Sequence, residues 1–468
     1  AVSEGFYPIK FTPFDEGIQP DYSYFQHGEQ LYIGGYGDAL LKGVLLFAEY
    51  TRDTKYEIDK QRLEIVRNFA LQTYYKVIRG SYIHMNVLGR GMSRKDITKK
   101  NSDYTKALIE IDPQYAKEYE TIAKRIDGNI APNIGIKSTN TSYYIGDYVA
   151  HIRPEYAVGV RTVSTRTMRN EYGNGENLKT YFLSDGSMHF AQKGDEYFNI
   201  FPVWDWSRIP GVTNPYYDFD SIPMAKIDWR TRGTENLVGG ASDSLYSVNT
   251  YRLNDRYADI NTSAYKSWFF FDDEIVCLGS DITSQSTLPI NTTIEQNRLK
   301  GDIIASTTNN KQIIVKEGTH NYDNNLKAVL HNNVGYIFPA GGNIFIKNEA
   351  QKGDWNKINI NEPAGEVSEK VFSLWFDHGS KPLNESYAYI IVPNKKNIKE
   401  LNQYNADDVQ ICTNNDSIQA VYNTKLNILE SVFLRKATFS FKGLSIKSNN
   451  SSAIIIKNID EKEVIMHI

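Results

Sequence analysis

The hydrophobic period of this chain changes near residue 129, and that change limits the folds open to it. Before it, apolar residues recur every three or four positions. Residues 38–50 place Leu41, Val44, Leu45 and Ala48 on one face, and residues 59–78 do the same with Leu63, Val66, Phe69, Ala70, Tyr74 and Val77. Gly80 stops the second pattern. Asp112-Pro113 pairs an N-cap with an N1 proline and opens a third expected helix, to about Ile126. Beyond Asn129 the chain turns to short β-rich stretches bounded by Gly, Asn, Asp and Pro: 142–152, 156–164, 267–279 and 328–338. The run from Trp268 to Cys277 reads as a hairpin turning at Asp272-Asp273. The β pattern continues to about Pro393. The Lys/Asn-rich stretch 394–405 reads as a linker, and 437–445 with 453–456 belong to a small all-β unit. Helices first and strands later make an α+β chain with segregated domains. The expected divisions are 1–128 helical, 129–394 a large β domain and 395–468 a small one.

Length supports that count, since 468 residues suggest about three domains. Hydrophobic residues make up 41% and charged residues 23%, which excludes a disordered chain. The richest apolar runs, 40–48 and 268–271, fall far short of a membrane span. Net charge is 52 − 56 = −4, so an anionic ligand must be met by a local basic cluster and nucleic acid is not an expected partner. Cys277 and Cys412 cannot form a disulfide framework, though one bond between them is open. Tyrosine is abundant, 32 against 8 His, which suits sheet faces and sugar-stacking clefts. No basic-then-apolar leader is visible at Ala1. About three helices make a poor core, so further helices are expected ahead of Ala1.

Four constellations offer chemistry. His27 and Tyr36 lie nine positions apart in a loop with Gly28, Gly34, Gly35 and Gly37. Glycine on both sides lets the backbone turn both side chains into a cleft; the alternative is a packing Tyr and a satisfied His. Gly89-Arg90-Gly91-Met92-Ser93-Arg94 sets two arginines where they can converge on one anion or favour an ionised Tyr; the alternative is a loop with solvated arginines. Arg166, Arg169, Asn170, Glu171, Asn174, Glu176 and Asn177 form a polar cluster. A glycosidase would use its carboxylates as an acid/base pair, and a polar turn would use them for nothing. In residues 202–211, Trp204 and Trp206 flank Asp205, and packing is the favoured reading. There is no metal-ligand spacing, no phosphate-cradling Gly-Lys-Ser/Thr loop and no Gly-x-Ser-x-Gly elbow in the sequence.

Taken in order, these segments resemble polysaccharide lyase family 8, most of all its bacterial chondroitin AC lyases, with the hyaluronate and xanthan lyases further off. The motifs that carry the resemblance are Gly17-Ile-Gln-Pro-Asp-Tyr-Ser-Tyr-Phe-Gln-His27-Gly, Gly35-Tyr36-Gly37, Arg79-Gly-Ser-Tyr, the Arg90/Arg94 loop, Asn170-Glu-Tyr-Gly-Asn-Gly-Glu-Asn177 and Pro202-Val-Trp-Asp-Trp. Asp377-His378-Gly379 and residues 387–393 complete the set. The resemblance implies the last part of an incomplete α/α toroid, then a large antiparallel β-supersandwich and a small C-terminal β-sandwich. It also implies a secreted or periplasmic monomer acting on an acidic polysaccharide, with the family's catalytic Asn on an upstream helical segment.

The implied reaction is β-elimination at a uronic acid, with no redox cofactor. Tyr36 is then the base for the C5 proton and the acid for the leaving oxygen, and His27 helps neutralise the substrate carboxylate. Arg90 stands by the Tyr36 hydroxyl and leaving oxygen, and Arg94 supports the substrate or the network around it. Glu171 orients His27 or an arginine, and Asn174 binds substrate. Relatives can carry a structural calcium near the Trp-Asp-Trp segment. Here Asp205 and Tyr217 are kept, but Ser207 and Tyr216 replace acids, so calcium is not expected. Two rivals stand beside the lyase reading. One is a glycoside hydrolase or phosphorylase of the same architecture, which needs a carboxylic acid in the cleft. The other is a non-catalytic glycan-binding protein.

Overall fold

A computed structural model describes residues 4–219, 230–255, 261–461 and 463–468. The helical part holds α1 (Tyr36–Thr51), α2 (Lys60–Phe69), α3 (Asp103–Ile111) and α4 (Ala116–Ile126). The apolar stripe read for α1 is the buried one: Leu41, Val44, Leu45 and Ala48 face the core. The Asp59 side chain caps α2 by accepting from the Arg62 amide at 2.9 Å.

Three expectations are corrected. The second helix does not run to Ile78: it widens into a π-turn over Ala70–Tyr74 and gives way to a two-stranded ribbon, Ile78–Arg79 with Tyr82–Ile83. Asp112 holds the N-cap position ahead of Pro113, as expected, but its side chain makes no capping bond. Its carboxylate takes two hydrogen bonds from Arg67, at 2.6 and 2.9 Å, and one from the Tyr119 hydroxyl at 3.0 Å. Pro113–Tyr115 is a single 3-10 turn ahead of α4, and α3 precedes it unforeseen. The stretch 394–405 is not a bare linker, because it contains a short helix, Ile398–Asn402, that buries Ile398 and Leu401. Both cysteines are free thiols.

Among the described residues the β part contains antiparallel sheets of four, nine, five and five strands. The four-stranded meander (Thr139–Tyr143, Tyr148–Ile152, Ala157–Arg161, Ser187–Ala191) lies against the helices, sharing one core with them. The expected hairpin is present: Thr262–Phe270 and Ile275–Ser284 pair Phe270 with Ile275 across the Asp272-Asp273 turn. Alternation along that strand sends Trp268 and Phe270 into the core shared with the five-stranded sheet. Phe269 and Phe271 go into the core shared with the C-terminal sheet. Both faces are covered, which is why the run reads as continuously aromatic. Trp204 and Trp206 are buried against each other, centroids 5.4 Å apart, as packing residues. Arg79 ties the helical part to the sheets. It donates to the carbonyls of Gln192, Arg153 and Pro154 at 2.7, 3.3 and 2.6 Å. No helix among the described residues is long and apolar enough to cross a membrane.

Candidate active site

The helical part and the first β segment meet at a cluster of three aromatic rings, two arginines and two glutamates. Tyr36 is the first residue of α1, with Gly35 ahead of it. His27 sits in the left-handed region (φ 58°), which turns its ring toward Tyr36, centroids 4.7 Å apart. Tyr32 lies edge-on to Tyr36 at 5.0 Å. The Tyr32 ring fills the space over Gly89, where a Cβ would stand 2.0 Å from the ring, and over Gly35, where it would stand 2.5 Å away. Two of the loop glycines therefore exist to admit this ring.

Arg90 is the hub. One terminal nitrogen donates to the Tyr36 hydroxyl at 3.1 Å, and the other lies 2.8 Å from both Glu171 oxygens. Its Nε donates to Glu176 at 2.9 Å, and its backbone amide donates to the Tyr32 hydroxyl, also at 2.9 Å. Arg94 grips both Glu176 oxygens at 2.8 and 2.9 Å. Glu171 accepts from the Tyr32 hydroxyl at 2.6 Å and contacts His27 Nδ1 at 2.7 Å. A carboxylate only accepts, so Nδ1 carries the proton and the acceptor of the neutral ring is Nε2.

These contacts shape the titration of the cluster. Burial works to raise the Glu176 carboxyl, but hydrogen bonds and charge from Arg94 and Arg90 outweigh it and hold the group below its ordinary range. Burial, then the negative charge of Glu171, pushes the Tyr32 phenol far above its usual value, so it stays a neutral hydroxyl that donates to Glu171 and accepts from the Arg90 amide. Burial opposes the charge on Arg90, yet Tyr36, Tyr32 and Glu171 more than offset it and keep the guanidinium charged.

The loop carrying the glutamates is pinned beneath. Asn170 accepts from Arg161 at 2.6 Å and donates to Thr180 at 2.8 Å. Asn177 donates to the Glu171 carbonyl at 2.7 Å, and its amide donates to Ser93 in the arginine loop at 3.0 Å. The structure thus brings together His27, Tyr36, Arg90, Arg94 and Glu171. It leaves Asn174 apart: that residue sits in the turn closed by Gly173 and Glu176, and its carbonyl accepts from Asn361 at 3.0 Å. Arg166 is turned to Asp147 and Arg169 to Asp185, away from the cluster. Sequence reasoning passed over Tyr32 and gave Glu176 no role. The one available signal was that Glu171 and Glu176 lie in the same Asn-rich segment, where two arginines could find two carboxylates.

The segment near Trp204 does not fit calcium. The Asp205 carboxylate is taken by the Ser207 amide at 3.1 Å and by Arg208 at 3.2 Å, and the Ser207 hydroxyl donates to the Tyr217 carbonyl. Calcium needs six or more oxygens with several carboxylates. No cluster of three or more acidic, His or Cys side chains converges among the described residues.

A groove of about 380 Å³ opens beside the cluster, lined by Tyr36, Arg90, Arg94, Lys42 and the Lys100–Asp38 ion pair, so that cations outnumber the carboxylate. A Tyr oxygen under a guanidinium, a His held by a carboxylate and a cationic groove can move a proton next to an anionic sugar. The comparisons give the family of the chain that builds this constellation. Residues 1–130 match the N terminal alpha-helical domain of polysaccharide lyase family 8, residues 138–405 its super-sandwich domain and residues 410–468 its C-terminal beta-sandwich domain. The chain belongs to polysaccharide lyase family 8. It is 39% identical to Chondroitinase-AC of Pedobacter heparinus over 99% of its own length and 65% of that protein. It is 26% identical to Hyaluronate lyase HylB of Enterococcus faecalis, over 88% of the chain and 46% of that protein. A solved structure of chondroitinase AC lyase with bound oligosaccharides superposes with a TM-score of 0.94 at 38% identity, covering 99% of this chain and 68% of that one. The chain therefore spans less than two thirds of the length of these two curated relatives.

Proposed function

We propose that this chain carries the proton-transferring part of a lyase that cleaves uronic-acid-containing glycosaminoglycans by β-elimination, with chondroitin sulfate A/C as the first substrate class and hyaluronan the second. The observation that carries the reading is the Arg90–Tyr36 hydrogen bond inside a network locked by Glu171 and Glu176. In the reaction, the Tyr36 oxygen takes the C5 proton of the uronate. The C5–H electrons form the C4=C5 double bond, the C4–O bond breaks, and the leaving oxygen receives its proton from Tyr36. Arg90 holds the oxygen in place and stabilises the negative charge that it carries before it takes the C5 proton and again after it protonates the leaving oxygen. His27, backed by Glu171, faces the carboxylate whose neutralisation acidifies C5–H. Arg94 binds substrate; Asn174, the other residue expected to do so, lies outside the cluster in the turn beside Asn361. The helical part is taken as 1–128, the central β domain as 129–394 and the C-terminal domain as 395–468, in a secreted or periplasmic monomer needing no redox cofactor.

The hydrolase reading is disfavoured by charge. It requires a carboxyl kept protonated, whereas Glu176 is held ionised by two arginines, and the oxygens of Glu171 are engaged by Arg90, Tyr32 and His27. The test is absorbance of the unsaturated uronate product across chondroitin sulfates, dermatan sulfate, hyaluronan and xanthan, with the complete protein as wild type and as Tyr36→Phe. The expected result is product from wild type, and loss of turnover with near-normal binding in the variant. A variant within about tenfold of wild type would exclude Tyr36 as the base, since a positioned proton-transfer group contributes about 10²–10⁴. Binding without product would leave the glycan-binding reading.

A further inference from the structure

A second cleft, about 440 Å³ in volume, lies on the seam between the helical part and the four-stranded sheet, and it shares no residue with the groove at Tyr36. Its walls come from the π-turn end of α2, from α4, and from the crossing segment that carries Gly135 and Lys137. Two kinds of side chain line it. Tyr115 supplies aromatic surface, its ring held by the Arg67 guanidinium 4.6 Å from its centroid, and the buried Tyr75 lies at the base. Lys76, Lys117 and Lys137 supply positive charge, against the single carboxylate of Glu118.

The charge is uncompensated from within. Lys76 is largely buried, its Nζ donates to the Thr141 hydroxyl at 2.9 Å, and burial depresses its pKa. None of the three lysines forms an ion pair among the described residues. Two buried arginines behind them add to the field. Arg79 spends its donors on three carbonyls, and Arg125 donates to the Ile134 carbonyl at 2.9 Å. A half-buried ammonium without a counter-charge is unfavourable unless an anion completes it. Aromatic surface beside cations is what an acidic sugar ring needs, with one face to stack and its charged substituents to neutralise. The volume lies in the range of small-molecule sites.

We propose that this seam is a second, non-catalytic binding site for a sulfated or carboxylated sugar of about disaccharide size. The anion preference rests on the lysines, and the saccharide class rests on the lyase reading above. Occupancy would bridge α4 to the sheet and so brace the two parts that jointly build the catalytic cluster.

The test is calorimetric titration of the chain with an unsaturated chondroitin 4-sulfate disaccharide, with inorganic sulfate and lactose in parallel. Two binding events are expected. Lys117→Ala/Lys137→Ala changes two exposed positions. It should weaken one event by about tenfold, the loss of a charge-assisted contact, and leave turnover unchanged. Arg94→Ala should weaken the other event, and Lys76→Met should reproduce the double variant. A single event, sensitive to Arg94→Ala and indifferent to the lysines, overturns the proposal. Inorganic sulfate binding as tightly as the disaccharide overturns the saccharide class. Lysine-dependent disaccharide binding in a protein that forms no elimination product would support the seam site and sink the lyase reading, so the two fail separately.

Discussion

Arg90 donates to the Tyr36 hydroxyl over 3.1 Å while a second nitrogen of the same guanidinium lies 2.8 Å from Glu171. One rigid fork therefore sets the distance between the proposed base and the carboxylate that holds His27. Lysine keeps the charge but not the fork. Arg90→Lys should lower kcat by the worth of a lost transition-state donor, about 2–4 kcal/mol, with a smaller change in KM. Steady-state kinetics on a chondroitin sulfate decide it, and an effect confined to KM would reduce Arg90 to an anion anchor.

Gly89 has φ +56°, and a Cβ there would stand 2.0 Å from the Tyr32 ring. Gly89→Ala pays roughly 1–2 kcal/mol for the left-handed backbone alone. It must also displace the ring that donates to Glu171. The expected outcome is a lowered thermal midpoint together with loss of activity larger than the stability change explains. Activity equal to wild type at a temperature where the variant is fully folded would show that Tyr32 does not position Glu171.

Glu176 sits below its ordinary range of 4.5 because Arg94 and Arg90 overcome the effect of its burial. A depressed folded value means that its contribution is present above the unfolded value and is lost as pH falls through the folded one. Glu176→Gln should therefore be less stable than wild type near neutrality, by about 1–3 kcal/mol after discounting the half-exposed Arg94, and the gap should close at acid pH. Urea unfolding at several pH values measures it. A gap that does not narrow on acidification would sink the assignment.

Glu295 gives the opposite sign far from the site. Burial raises its carboxyl from the usual 4.5 to about 8, although Tyr197 donates to it at 2.7 Å. Between those values the native state holds a proton that the unfolded chain has released, so this residue makes stability fall as pH rises from about 4.5 to about 8. Glu295→Gln, which keeps an acceptor for Tyr197, should flatten that fall. The measurement is the denaturant midpoint across the same range, and an unchanged slope would contradict a buried, protonated Glu295.

Local pattern carried much of the architecture. The helical stripe of α1, the β-rich remainder and the Asp272-Asp273 hairpin all follow from periodicity, because amphipathic period and turn chemistry are properties of neighbouring residues. His27, Tyr36, Arg90 and Glu171 were legible as motifs in Gly- and Asn-rich loops. What failed locally had been diverted to tertiary partners. Ser102, the residue ahead of α3, spends its hydroxyl on Asp127 instead of capping, and Asp112 serves Arg67 and Tyr119. The roles of Tyr32 and Glu176 were beyond local reading for the same reason. Glu176 meets Arg90 across 86 positions, and Glu171 meets Tyr32 across 139 and His27 across 144. Which carboxylate neutralises which cation depends on how the helical part and the sheets dock. The sequence by itself determined the residue types and the loops that present them; only the tertiary structure decided their pairing, because ion pairs and hydrogen bonds are set by distance in space.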